Sequence, residues 1–127
     1  MSSIIRTQTF LRYARIHLQE AETALQQERS ARVLRLCSDA AAAITKALAA
    51  GLPGVETGLI ETDAKALVRA LSYLTEAKED ATAIACSLVE LRQELRQLDH
   101  PPSKAEAEAA FRKAGEASRA VHDLFAL

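Results

Sequence analysis

Apolar residues recur at alternating spacings of three and four along most of this chain, and only four glycines and three prolines interrupt the 127 residues. That spacing follows the 3.6-residue helical turn, whereas a strand would alternate every second residue. Alanine, the strongest helix former, is abundant and pushes the same way. The sequence therefore predicts an all-α fold. Its length is that of one ordinary domain, residues 1–127, large enough to bury a core without metal or disulfide staples.

The first helix is expected from Arg6 to Glu28, with Leu11, Ala14, Leu18, Ala21 and Leu25 as its apolar stripe. Ser30 stands where a short turn needs an N-cap. A second helix, Ala31 to Ala50, repeats Val33, Leu36/Cys37, Ala40, Ile44 and Ala47/Leu48, and its alanine run at residues 40–43 permits close helix contact. Gly51 supplies the stop, with Pro53 and Gly54 behind it. So short a turn makes these two helices an antiparallel hairpin.

Residues 51–61 read as the one real loop. Thr62 caps a shorter third helix carrying Ala64, Leu67, Val68, Leu71 and Leu74, and the stripe pauses at Thr75–Asp80, which predicts a kink or break. A fourth helix follows with Ala81, Ile84, Leu88, Leu91, Leu95 and Leu98 in a coiled-coil-like seam, ended by Pro101 and Pro102. Ser103-Lys104-Ala105-Glu106 is a capping box, in which the serine side chain and the glutamate side chain each satisfy an orphan backbone N–H of the other. It opens a last helix that buries Ala107, Ala110/Phe111, Ala114, Ala117, Val121 and Leu124/Phe125. The expected architecture is an antiparallel up-down bundle of four main helices plus one short helix.

Net charge is −1, so no global field draws the chain to nucleic acid or membrane, and any anion site must be local. Arg outnumbers Lys eleven to five, a mild hint of planar, bidentate contacts to phosphate or carboxylate. Cys37 and Cys86 sit among small apolar residues without metal-ligand spacing and read as buried free thiols. No apolar run is long enough for a signal peptide or a membrane span, so a soluble, cytoplasmic protein is expected. No Gly-rich phosphate loop occurs, and five aromatics without Trp make a base-stacking platform a poor expectation.

Chemistry concentrates where the seam helix ends. Arg92, Arg96 and His100 follow one another at four-residue spacing, with Asp99 beside them. Pro101 disfavours the helical conformation at His100, so the helix should end near Asp99. The negative helix end and the Asp99 carboxylate both favour protonated His100. An imidazolium beside two guanidiniums can bind a phosphate, and the imidazole can shuttle a proton near neutral pH. The plainer reading of the same residues is a cationic C-cap, with the arginines paired to surface carboxylates.

Other clusters carry less. His17-x-x-Glu20 supplies two metal ligands one turn apart, but no second such pair completes a bundle site, and neither metal nor cofactor is expected. Arg29, Arg32 and Arg35 are read as ion-paired across the hairpin, with Glu28 and Glu22 opposite Arg29 and Arg35. Arg119-x-x-His122 is read as a charge cluster at a helix end.

Three segments resemble the HEPN domain, an all-α bundle found in many toxin–antitoxin and defence proteins: residues 14–25 (ARIHLQEAETAL), the alanine-rich 36–50 (LCSDAAAAITKALAA) with its internal Lys46, and 91–118, which holds the Arg-to-His helix end and the start of the last helix. The resemblance implies a homodimer that associates with RNA or nucleotide, or with a protein partner such as a cognate antitoxin. It also implies metal-independent RNA cleavage in members with an arginine, four to six residues, then a histidine. Here Arg96 and His100 are separated by three residues and Arg92 and His100 by seven, and Gln93 or Gln97 stands where Asn, Asp or His commonly follows the arginine. Were the activity retained, His100 would be the general acid/base and Arg92 or Arg96 would stabilise the phosphorane charge. Members without the motif are binding or structural modules.

Overall fold

The computed structural model describes residues 3–51, 90–91 and 99–124. Among them every regular element is helical: α1 (Ser3–Gln26), α2 (Ser30–Gly51) and α3 (Lys104–Leu124), with Glu90 and Leu91 also helical. Gly51, expected as the stop after the second helix, is instead the last residue of α2. The rest of the expected loop (52–61), the third helix, the Thr75–Asp80 kink, Cys86, Phe125 and all of the fourth-helix seam except Leu91 lie outside the described residues.

Among the described residues the predicted stripes form the core, most of their members buried and Leu18, Leu25 and Phe111 partly so. Leu11, Ala14, Ala21 and Ala24 of α1 meet Val33, Leu36, Cys37, Ile44, Ala47 and Leu48 of α2 in one core cluster, with Leu18 and Leu25 packed against its edge. Leu91 and the α3 residues Ala107, Ala110, Ala114, Ala117 and Val121 complete that cluster, and Phe111 packs against it. Small residues let the helices approach closely. The buried Thr7 hydroxyl donates to the Ala47 carbonyl at 3.2 Å, joining the start of α1 to the last turns of α2 and fixing the antiparallel hairpin. At the opposite end of the pair, Arg32 lies 3.8 Å from Glu20. This is the cross-hairpin ion pair of the described residues, in place of the expected Glu28–Arg29 and Glu22–Arg35 pairs, and both members are about half exposed.

The hairpin turn is tighter than the sequence suggests. Helix α1 stops at Gln26, and Glu28 adopts the left-handed conformation, φ 59°. The Arg29 N–H then donates to the Ala24 carbonyl at 2.9 Å and the Glu28 N–H to the Leu25 carbonyl at 3.1 Å. This is a Schellman C-cap with glutamate at the position glycine usually takes. The Arg29 carbonyl already accepts the Val33 N–H at 3.1 Å, so Arg29, and not Ser30, is the N-cap of α2. One residue thus closes the first helix and opens the second. Because a left-handed L-residue costs about 1–2 kcal/mol, Glu28→Gly is expected to raise stability by about 1 kcal/mol, measured by urea unfolding.

Candidate functional site

The junction into α3 forms from local chemistry. The Ser103 hydroxyl accepts the Glu106 N–H at 3.1 Å, and the Glu106 carboxylate accepts the Ser103 N–H at 3.1 Å, so the capping box is closed in both directions. Asp99, His100, Pro101 and Pro102 precede it as non-helical chain, and His100 is exposed.

Both ring nitrogens of His100 face carboxylates. Nδ1 lies 2.9 Å from Asp99 Oδ1, and Nε2 lies 3.1 Å and 3.3 Å from the two oxygens of Glu106. A neutral imidazole has one N–H; donating to both carboxylates requires the imidazolium. Accordingly the hydrogen bond to Asp99, then the hydrogen bond and charge of Glu106, raise the His100 pKa above its ordinary value. The Ser103 N–H, then His100 and the Ser103 hydroxyl, hold Glu106 below its ordinary value. The stabilisation from His100 is complete below the ordinary histidine value and is lost as pH rises through the raised one. That from Glu106 is present above the ordinary carboxylate value and is lost as pH falls through the lowered one. The clamp is therefore fully stabilising between the ordinary carboxylate and ordinary histidine values and weakens toward each shifted one.

The sequence places Asp99 beside His100 but gives no sign of Glu106 there, because the capping role of Glu106 hides its second contact. Arg92 and Arg96, the other two candidate residues, lie outside the described residues. Among the described residues the partners of His100 are anionic, and two carboxylates within hydrogen-bond reach oppose a phosphate at the same ring.

The remaining clusters resolve differently. Glu20 turns to Arg32, while His17 Nδ1 is buried without a hydrogen-bond partner among the described residues, so the two do not form a ligand pair. No group of three potential metal ligands occurs among the described residues. Cys37 is fully buried and free, and burial pushes its thiol up to about 12, which makes it a core residue and not a nucleophile. Arg29, Arg32 and Arg35 line a shallow hollow at the start of α2.

Arg119 and His122 are more than a helix-end charge cluster. They face α1 across a groove of about 380 Å³, whose walls include Leu11, Arg15, Leu18, Phe111 and Gly115. A second hollow of about 260 Å³ shares Leu11, Arg15 and His122 with it and adds Gln8 and Arg12. Within either helix these side chains look like solvated surface; packing brings them to one groove.

No described helix is long and apolar enough to cross a membrane. Comparison with family models, with characterised proteins and with solved structures finds no match.

Proposed function

We propose that this chain is a HEPN-like helical module, built on a bundle of four main helices plus one short one, that works by binding and not by cleaving RNA. It acts as a homodimer of the toxin–antitoxin type, with RNA or a protein partner such as a cognate antitoxin as what it binds. The observation that carries the non-catalytic reading is the clamp on His100. An imidazolium held by Asp99 and Glu106 has no free lone pair to serve as a base, and its neighbours repel a phosphodiester. The irregular arginine–histidine spacing agrees with it. Ile5, Tyr13 and Ile16, about half exposed on one face of α1, supply apolar surface suited to a protein partner.

The alternatives are an active metal-independent ribonuclease using Arg92 or Arg96 with His100, and a purely structural helical adaptor. The protonated state at His100 is what a general acid in the first of these would need. Incubation with a varied RNA panel in excess EDTA separates them, run on protein whose mass is fixed by light scattering. The expected result is a dimer mass and no cleavage. Cleavage by the wild type that His100→Ala abolishes would establish the ribonuclease, and a monomer mass at tens of micromolar would remove the dimer.

A further inference from the structure

The groove between α1 and α3 has a chemistry of its own, independent of the HEPN-like reading. His122 lines the smaller hollow together with Gln8 and Arg12, near the start of α1, while the larger one extends to Glu22 on α1 and Phe111 on α3. The two helices therefore run in opposite directions along the groove, which is roughly 20 Å long from the 1.5 Å helical rise per residue. Its two ends differ. Arg12, Arg15 and His122, with Leu11 among them, line one end, Arg119 lies one turn before His122, and Leu18, Phe111 and Gly115 lie toward the other.

Two features mark it as more than a gap between helices. Among the described residues no carboxylate lies within 4 Å of Arg12, Arg15 or Arg119, although Arg32 and Lys113 each find one. The groove's own acidic residue, Glu22, belongs to the far end, and Asp123 reaches only His122, at 4.0 Å. The second feature is Gly115. A glycine inside a helix is less stable than alanine, and a Cβ at this position would meet nothing within 4 Å. No steric demand of the fold calls for it, and its effect is to widen the groove beside Phe111.

We propose that this groove binds a small anionic amphiphile, a carboxylate or phosphate head on an apolar body. Arg12, Arg15 and Arg119 hold the head by charge-assisted hydrogen bonds, and the body lies along Leu18 and Phe111 over Gly115. A bare inorganic anion would leave the apolar end unused, and a neutral hydrocarbon would leave the guanidiniums unpaired.

The test is calorimetric titration of the whole chain with dodecanoate below its micellar concentration. Saturable binding of one ligand per chain is expected, weakened about tenfold or more by Arg15→Gln and by Arg119→Gln. Gly115→Leu, which fills the groove from open space, should weaken it similarly while circular dichroism shows the helices intact. Arg35→Gln, on α2, should change nothing. Dodecanol binding as tightly as dodecanoate, inorganic phosphate competing at equal concentration, or tighter attachment to phosphatidylglycerol vesicles than to free dodecanoate would each overturn the proposal. So would full affinity in Gly115→Leu, or no saturable binding by the wild type.

Discussion

Ile44→Ala is expected to lower folding stability by about 2–5 kcal/mol. Ile44 is fully buried in α2, and it is among the largest side chains wholly removed from solvent among the described residues. Truncation removes its transfer free energy and leaves a cavity. Ala40, Ala41, Ala43 and Ala47, all buried on the same helix, have no rotatable side chain to swing into the gap. Collapse would need helix movement, and the Thr7–Ala47 hydrogen bond resists that near the end of α2. For a domain of this size the loss is a large share of total stability, so the urea midpoint should fall steeply. A loss below about 1 kcal/mol would mean that the site relaxes more easily than this packing allows.

Ala21→Leu is expected to cost about 1–3 kcal/mol, by the opposite mechanism. In the sequence, position 21 belongs to a stripe with Leu11, Leu18 and Leu25, and leucine there looks conservative. In the fold Ala21 is wholly buried, and its small side chain is part of what lets α1 lie close to α2. An isobutyl group has no space there without forcing the helices apart and stretching the Thr7–Ala47 contact. Glu22→Leu, one residue on and exposed, serves as the control and should stay within about 0.5 kcal/mol. Equal effects at positions 21 and 22 would contradict the close-packed interface.

These two residues show what the sequence discloses. Positions that repeat every three or four residues announce their burial, which is why Leu11, Ala14, Val33, Ile44, Ala114 and Val121 are legible from periodicity alone. The Ser103–Glu106 box is legible for a similar reason, since its two partners lie within one turn. The hairpin turn is less so. Glutamate carries no signal for a left-handed C′ residue and arginine none for an N-cap, so α1 ends and α2 begins slightly away from where the stripes put them. Contacts between elements leave still less trace. The Arg32–Glu20 pair, the Thr7–Ala47 hydrogen bond and the placing of Arg15 and Arg119 on one groove depend on helix rotation and offset, which no local pattern encodes. Glu106 is the instructive case: its capping role is local and visible, whereas its grip on His100 depends on how Pro101 and Pro102 direct the chain.

The grip on His100 separates a structural junction from a phosphate site, and proton NMR titration of its imidazole measures it directly. The expected result is a His100 pKa above the ordinary histidine value in the wild type, falling toward that value in Glu106→Gln and falling again when Asp99→Asn is added. A His100 that titrates at or below the ordinary value, unmoved by either substitution, would contradict the clamp and with it the non-catalytic reading of this helix junction.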